Sequence, residues 1–342
     1  NQYAMENHGR FRSWEHPDHK IFERKTTMIP YPIMSRPVLT KMAFEEHKTI
    51  AGRIYSVKNV RDKDKIPEMD WVISNVIKAY FRPNYIEYIN QYQANKISYD
   101  AEGIREWLVK KNRVPERIRT LLELLSGELI TQPISNIKIH LKLESLLKDE
   151  PIGHFGQQQA RSIMWQRYAV AAIFSPIFIE AKKRLKAILN EKTIYADGLR
   201  PDEIAGRLQH LKSIKRFMEN DLSKQDRQTD KPIIDVEMEI YKLLGVHENV
   251  LSAWKSVHDL WKWKASQARG TQESMRLTGQ ATTALGNVIT NMIVHAKYVL
   301  DYNHVISLIL LLGDDSLFFL TEETPLNELR RDIEVLYNMQ SK

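Results

Sequence analysis

The sequence of 342 residues contains no cysteine. Disulfide bonds, cysteine-ligated zinc, iron–sulfur clusters and a thiol nucleophile are therefore excluded, because each needs sulfur from the chain itself. Glycine and proline are scarce, with 13 of each, which excludes a collagen-like or low-complexity chain. With 43% hydrophobic and 27% charged residues, the composition is that of a folded protein, and the length suits two domains or one large unit.

Long apolar runs are lacking as well. The longest, over 169–174 and 305–312, are far shorter than the about 20 residues that span a bilayer, so no transmembrane segment is expected in this chain. The first residues show no charged stretch followed by an apolar one, and we expect no secretory signal.

Positive charge is concentrated in one part of the chain. The net charge is +7, and residues 138–216 hold 15 Lys and Arg against 8 Asp and Glu, so this window carries the whole excess. Such an excess favours a surface for a polyanion, because bound phosphates release counterions. A solvated charged face is the alternative that charge alone leaves open.

The apolar spacing predicts a mixture of helices and strands. Residues 1 to about 65, with four prolines, are predicted to be loops and short pieces outside the core. Spacings of three and four residues predict helices at 69–80, 104–108, 118–125, 233–244 and 285–296. Strict alternation over 137–143 predicts a strand with Lys138, His140 and Lys142 on one face.

The clearest candidate site lies in a predicted hairpin. Common phosphate-loop, dinucleotide, zinc-protease and serine-hydrolase motifs are missing from the sequence. Two apolar runs, 305–312 and 317–320, are separated by a turn that contains Asp314 and Asp315. Two adjacent acids on a rigid support suit a hard cation such as Mg²⁺. Ordinary turn chemistry is the alternative for an isolated Gly-Asp-Asp.

Further polar groups accompany this hairpin. Asp221 and Asp226 follow a predicted short strand and offer a second source of carboxylates, although Asp226 or, preferably, Asp230 also suits an N-cap of the next helix. Thr283 and Asn287, with Thr290, share one face of the predicted helix. This neutral stripe suits a ribose or a base edge, and a buried internal contact is its alternative.

In chain order, these motifs resemble those of RNA-directed RNA polymerases from positive-strand RNA viruses, in the alphavirus-like group that includes tobamo-like viruses. The resemblance covers about residues 138–342. The segment 162–178 is similar to the fingers motif of that group, and the string SKQDRQTD at 223–230 resembles its negevirus and kitavirus-like branch. Two departures stand out: Thr278 replaces the usual Ser, which keeps a hydroxyl, and Gln225 replaces a frequent aromatic residue.

The resemblance implies roles for single residues. Asp221 and Asp314 match the metal-binding aspartates, with Asp315 as the accessory acid at the same metal site. Seven residues match positions that contact the incoming nucleotide: Lys142, Arg167, Asp226, Thr278, Gly279, Thr283 and Asn287. Of these, Lys142 and Arg167 would meet the triphosphate, and Asp226 would sense the ribose 2′-hydroxyl. Lys342 would be a general acid for the leaving pyrophosphate.

The resemblance also implies a fold and an activity. The fold class is α+β, a right-hand polymerase with helix-rich fingers, a palm whose antiparallel sheet carries the Gly-Asp-Asp hairpin, and a thumb that is largely absent. Residues 1–130 would be the N-terminal helical part of the fingers, 131–220 the fingers with the basic nucleotide motif, and 221–342 the palm. The activity would be template-directed RNA synthesis.

The expected cofactors and partners follow from that activity. Two Mg²⁺ ions, replaceable by Mn²⁺, would be the cofactors. The partners would be template and nascent RNA, nucleoside triphosphates, and capping and helicase domains of a viral replicase. The expected location is the host cytoplasm, at membrane-associated replication complexes that other replicase segments anchor.

Two rival functions stay open at this point. A reverse transcriptase shares the acids but usually has an aromatic residue before the Asp pair, whereas Leu312 and Gly313 stand there in this chain. A polymerase-like scaffold would bind RNA or proteins without catalysis, and the acids at every expected position weigh against it.

Binding of single-stranded RNA is expected to weaken steeply with salt, with a log–log slope of about −0.7 for each phosphate contacted. Charge reversal of Lys or Arg within 138–216 should flatten that slope, because fewer counterions are then released. Filter binding across a salt series measures the slope. Charge reversals within 1–65 are the control, and equal effects from both regions would contradict a localised RNA surface.

Overall fold

A computed structural model describes residues 11–13, 43–55, 66–111, 134–142, 161–211 and 213–341. The α-helices are α1 Ala43–Ile50, α2 Met69–Tyr80, α3 Tyr85–Ala94, α4 Ala101–Lys110, α5 Tyr168–Ile188, α6 Pro201–Leu208, α7 Gln225–Gln228, α8 Lys231–Leu243, α9 Glu248–Asp259, α10 Thr283–Asp301 and α11 Leu326–Tyr337. A π-helix, Ala51–Tyr55, follows α1. The strands are β1 Phe11–Ser13, β2 Asn136–Lys142, β3 Arg161–Gln166, β4 Thr193–Tyr195, β5 Arg216–Glu219, β6 Trp261–Lys264, β7 Ala268–Gln272, β8 Ile306–Leu312 and β9 Asp315–Leu320.

The strands form two mixed sheets. The first has five strands in the order β1-β7-β6-β2-β3, and β2 pairs with β6 in parallel. The second has four strands in the order β4-β8-β9-β5. Strands β8, β9 and β5 are antiparallel, as predicted for the hairpin sheet, but β4 joins β8 in parallel. The fold class is therefore α+β, and the prediction of a purely antiparallel hairpin sheet is wrong at β4.

The central helix is α10. It is buried on every side from residue 285 to residue 296, although an amphipathic helix would expose one face. It packs against α2, α8 and α11 and against the hairpin strands β8 and β9. The second sheet is therefore anchored to the core through this one helix.

Several predicted elements are confirmed. Helices α2, α4, α8 and α10, strand β2 and the β8–β9 hairpin form where the spacing indicates them. Asp230 is the N-cap of α8, and its side chain accepts a hydrogen bond from the Ile233 amide at 3.5 Å. The helix predicted at 118–125 lies outside the described residues. Among the described residues, no helix combines the length and the apolar character needed to cross a bilayer.

The prediction that residues 1–65 lie outside the core is wrong for part of that segment. Ile50 and Ile54 are fully buried within the main hydrophobic cluster. The π-helix also contacts the loop after β5, because Lys224 donates to the Gly52 carbonyl at 2.8 Å and Arg227 donates to the Ile54 carbonyl. The proline-based argument missed this short segment because it follows the last of the four prolines, Pro37.

A buried ion pair lies beneath the N-terminal half of α10. Arg276 and Glu237 have side chains only 1% exposed and form a two-point pair, and Tyr241 donates to the same carboxylate at 2.6 Å. Gly286 makes this packing possible, because a Cβ there would lie 1.9 Å from Arg276 Nη1. The helix therefore approaches the pair more closely than any side chain would allow.

Gly286→Ala is expected to lower the free energy of unfolding by about 3 kcal/mol, because the added methyl group displaces a buried guanidinium from its carboxylate. Urea unfolding measures the change. Gly206→Ala in α6 is the matched control: no atom lies within 4 Å of its Cβ position, so helix propensity should stabilise the protein by about 0.5–1 kcal/mol. Equal stability of the two variants would contradict this account of α10 packing.

Candidate active site

Strand register brings the predicted carboxylates to one edge of the second sheet. Glu219 pairs with Leu317 across β5 and β9, and the Asn220 amide donates to the Ser316 carbonyl at 3.4 Å. Two residues beyond Glu219 lies Asp221, and two residues before Leu317 lies Asp315. Continuing this register by two residues places Asp221 opposite Asp315, next to Asp314. Asp221 and Asp314 are 93 positions apart in the sequence.

The hairpin turn is tighter than the sequence indicated. Leu312 pairs with Asp315, so the turn consists of Gly313 and Asp314, and Asp315 already belongs to β9. Gly313 has a φ of +62°, a conformation that favours glycine. Its carbonyl accepts a hydrogen bond from Asn291 Nδ2 of α10 at 3.0 Å. The central helix thus holds the turn that carries Asp314.

The carboxylates at this edge lie close enough to change the pKa of Asp315. Burial and the neighbouring charges of Asp314, Glu219 and Asp221 raise the pKa of Asp315. Asp221, Asp314 and Asp315 all remain exposed. Within the described residues, no three His, Asp or Glu side chains gather closely enough to hold a metal ion. Mg²⁺ takes few protein carboxylates when waters and a phosphate supply its other ligands, so the exposed acids at this edge are compatible with a metal site that the described residues do not form by themselves.

Asp226 lies close to this edge, in α7. Asn287 Nδ2 of α10 donates to Asp226 Oδ1 at 3.1 Å, and the Arg276 amide donates to the Asp226 carbonyl at 2.9 Å. Burial raises the pKa of Asp226, with a further rise from the charge of Asp314, whereas the Asn287 hydrogen bond and Arg276 lower it. The N-cap of α8 is Asp230, so Asp226 does not cap that helix, and its side chain pairs with Asn287 instead.

An unpaired acceptor accompanies this pair. The amide of Asn287 is oriented by its bond to Asp226, and its Oδ1 has no hydrogen-bond partner in the part of the chain that the structure describes. Asn287 is only 6% exposed. A buried amide oxygen without a partner costs free energy, and a ligand hydroxyl would relieve that cost.

The Thr278-Gly279 loop docks on strand β3. Thr278 Oγ1 accepts a hydrogen bond from the Met164 amide at 2.8 Å, and the Gly279 amide donates to the Met164 carbonyl at 2.9 Å. Thr283 Oγ1 donates to the Leu277 carbonyl at 2.7 Å. The hydroxyls of Thr278 and Thr283 thus hold the loop in place. For Thr283, this matches the internal-contact alternative for the polar stripe.

A basic groove of about 680 Å³ lies on the first sheet. Its basic side chains are Lys138, Arg167, Lys262, Lys264 and Arg269, its aromatic ones are Trp165, Tyr168 and Trp263, and no acid is among the described residues that line it. Lys138 Nζ lies 5.2 Å from the centre of the Trp165 ring. Cations beside aromatic faces suit phosphates and stacked bases.

The β2–β3 register separates two of the predicted nucleotide contacts, and the groove contains two lysines that were not predicted. Gln166 pairs with Ile137, whereas Lys142 pairs with Arg161, so Lys142 and Arg167 lie at opposite ends of the β2–β3 pair, about 20 Å apart along the strand. Lys262 and Lys264 were missed, since they lie outside the basic window. The alternation Trp-Lys-Trp-Lys at 261–264 is the signal that indicates them.

The last predicted residue, Lys342, lies outside the described residues. The chain just before it passes the carboxylate edge, because Ser341 pairs with Leu222 and the Ser223 amide donates to the Gln340 carbonyl at 2.8 Å. The described C-terminal residues therefore lie beside the loop that follows Asp221.

Comparison with known proteins gives one family. A sequence model described as RNA dependent RNA polymerase matches residues 55–342. The chain is 25% identical over 249 residues to replicase polyprotein 1ab of Beet yellows virus (isolate Ukraine), which covers 70% of this chain and 8% of that protein. It is also 25% identical over 307 residues to RNA-directed RNA polymerase 2a of Alfalfa mosaic virus, at 85% and 35% coverage.

A third relative is the replicase large subunit of Tobamovirus Ob, which is 27% identical over 188 residues, or 53% of this chain and 11% of that protein. The chain therefore spans about a third or less of the length of each of these three relatives.

Asp315→Asn is expected to raise the melting temperature of the protein in EDTA at pH 7. An acid whose pKa is higher in the folded state destabilises the fold wherever it is ionised, and this cost vanishes below its unfolded pKa of about 4. The gain should therefore be full at neutral pH and disappear near pH 3. Thermal unfolding across pH measures it.

Glu191→Gln removes one exposed acid from the loop between α5 and β4 and is the control for net charge. A rise in melting temperature that is equal in the two variants, or that persists at pH 3, would contradict mutual repulsion at the carboxylate edge.

Proposed function

The chain belongs to the RNA-dependent RNA polymerase family, and on that premise we propose that it performs template-directed RNA synthesis. One observation carries the proposal: the β5–β9 register brings Asp221 level with Asp315, next to Asp314. Two carboxylate sources at one sheet edge suit a nucleotidyl transfer that depends on a metal pair.

The residues at this edge fit two Mg²⁺ ions, with Mn²⁺ as a substitute. Burial and the nearby charges of Asp314, Glu219 and Asp221 raise the pKa of Asp315, and a bound cation would relieve the repulsion among these carboxylates. Asp221 and Asp314 would be the metal ligands, with Asp315 as the accessory acid. When bound, the ions supply activation of the primer 3′-hydroxyl and stabilisation of the pyrophosphate leaving group.

The side chains next to this edge suit a ribonucleotide. Asn287 fixes the orientation of Asp226 through the bond at 3.1 Å, which leaves one oxygen of each group for a ribose hydroxyl. A 2′-hydroxyl would donate to such an acceptor, and a deoxyribose would leave it unpaired. This arrangement favours an RNA polymerase over a reverse transcriptase. Thr278, Gly279 and Thr283 would shape the loop behind the nucleotide.

The basic groove would hold RNA and nucleotide phosphates. Arg167 lies at the N-terminus of α5, next to Lys138 and the β6 lysines. Positive side chains over aromatic rings bind a single strand with little sequence preference, which a template path requires. Arg167 would therefore meet the triphosphate, and Lys142, at the far end of β2, would contact a strand backbone.

The wider architecture belongs to the same proposal. Residues 1–130 and 131–220 would form fingers and residues 221–342 the palm of a right-hand polymerase. Two of the relatives are named replicase polyprotein and replicase large subunit, and we propose that this chain works with other replicase domains, including capping and helicase domains. Its site of action would be membrane-associated replication complexes in the host cytoplasm.

Asp226→Ala is expected to lower the ratio of kcat/KM for ribonucleotides over deoxyribonucleotides. The lost preference is worth about 1–3 kcal/mol, or about 5- to 150-fold. Asp314→Asn, which removes a proposed metal ligand, should abolish incorporation of both. Primer extension by the full-length protein with Mg²⁺ and each nucleotide type measures the ratio.

Asp230→Ala provides the control, since it removes the N-cap of α8 and should lower stability without changing sugar choice. Unchanged selectivity in Asp226→Ala would contradict its proposed role. RNA binding by a wild-type protein that incorporates no nucleotide would favour the scaffold alternative, and efficient incorporation of deoxyribonucleotides on RNA would favour a reverse transcriptase.

A further inference from the structure

A chain of buried hydrogen bonds joins the two halves of the carboxylate edge. Asn220, which directly precedes Asp221, has its Nδ2 2.8 Å from His295 Nε2 of α10. His295 Nδ1 lies 2.8 Å from the Asn291 carbonyl. The Asn291 side chain then donates to the Gly313 carbonyl at 3.0 Å, and Gly313 directly precedes Asp314.

The two ring nitrogens of His295 have different hydrogen-bonding roles: one donates and the other accepts. The Asn291 carbonyl only accepts, so His295 Nδ1 carries the hydrogen. Burial lowers the pKa of His295 to about 4, so the ring is neutral at pH 7 and its Nε2 accepts from the Asn220 amide. The imidazole therefore works as one donor and one acceptor without adding charge below the carboxylates.

The packing around the chain makes it rigid. Asn220 is 3% exposed, and His295 and Asn291 are 0% exposed. The His295 ring packs against Phe318 of β9 with centroids 5.3 Å apart, and Ser316 Oγ donates to the Asn220 carbonyl at 3.3 Å. Rearranging any member would leave a buried polar group without its partner, which is costly.

We propose that Asn220, His295 and Asn291 are positioning residues that set the separation of Asp221 and Asp314, and with it the affinity of this edge for divalent cations. The inference rests on the proposed function. Residues 291 and 295 are one helical turn apart, a rise of about 6 Å. Anchors at that spacing suit two carboxylates that flank a metal pair about 4 Å apart.

The hydrogen-bonded relay of Asn220, His295 and Asn291 is neutral. A neutral relay suits the positioning of metal-binding carboxylates better than a charged one. A buried Lys or Arg at position 295 would also hold Asn220, but its positive charge would compete with the cations for the carboxylates. An apolar residue would leave the Asn220 side chain free to take other rotamers. His295 holds the Asn220 side chain and Asn291 holds the turn at Gly313, and both leave the negative charge at the edge available.

The test uses the full-length protein and Mn²⁺ alone as the probe, with affinity measured by electron paramagnetic resonance. His295→Leu removes both ring hydrogen bonds and should raise the Kd for Mn²⁺ about 10-fold or more, as loss of an outer-shell partner does. His295→Gln keeps a donor and an acceptor and should restore the Kd to within about threefold of the wild type.

Val299→Ala is the matched control, because Val299 is buried in the same helix one turn beyond His295. It should lower the melting temperature without changing the Kd for Mn²⁺. If His295→Leu does not fold, Asn291→Ala decides the question: it removes only the bond to Gly313 and should also raise the Kd. Folded His295 and Asn291 variants with wild-type affinity would overturn the relay.

A parallel assay separates this proposal from the one on which it rests. In primer extension at saturating Mg²⁺, His295→Leu should lower kcat and leave the KM for nucleotide within about twofold. A wild-type protein that makes no RNA, or an Asp314→Asn variant that binds Mn²⁺ normally, would overturn the proposed function itself. A wild type that makes RNA beside relay variants with unchanged kcat and Kd would overturn only the relay.

Discussion

Helix α10 is buried on all sides between residues 285 and 296, so the hydrogen bonds of its polar side chains go to other parts of the protein. Three of these bonds hold the segments that carry the carboxylates. Asn287 holds Asp226, Asn291 holds the turn at Gly313, and His295 holds Asn220. Two chain segments that are far apart in sequence, 220–226 and 313–315, are thus fixed to one rigid element, and both carry carboxylates at or near the same edge.

The same packing explains why the acids can lie together. Burial, followed by the charges of Asp314, Glu219 and Asp221, raises the pKa of Asp315, and the surrounding packing keeps these carboxylates at one edge. The buried Arg276–Glu237 pair and Gly286 let α10 lie close beneath this region. The basic groove lies on the first sheet, whereas the carboxylates lie on the second. Repulsion among the carboxylates lowers the stability of the fold at this edge, and a bound cation with its phosphates would offset that loss.

Much of this arrangement could be predicted from the sequence, and the reasons for the failures are physical. Apolar periodicity reports which face of an element is buried, so α10, β2 and the hairpin were predictable. Register and buried polar contacts depend on partners far along the chain, which no local pattern contains. The separation of Lys142 from Arg167 along β2 follows from pairing with β3, and the groove needs Lys262 from a strand about 120 residues away.

Diffraction from crystals of the protein with Mn²⁺, RNA and a non-hydrolysable nucleoside triphosphate is the most direct test of the proposed polymerase site. Anomalous scattering identifies the ions without reference to the protein density. The account predicts two Mn²⁺ peaks about 4 Å apart between Asp221 and Asp314, each also in contact with the triphosphate. Peaks at other carboxylates, or a triphosphate bound away from this edge, would contradict it.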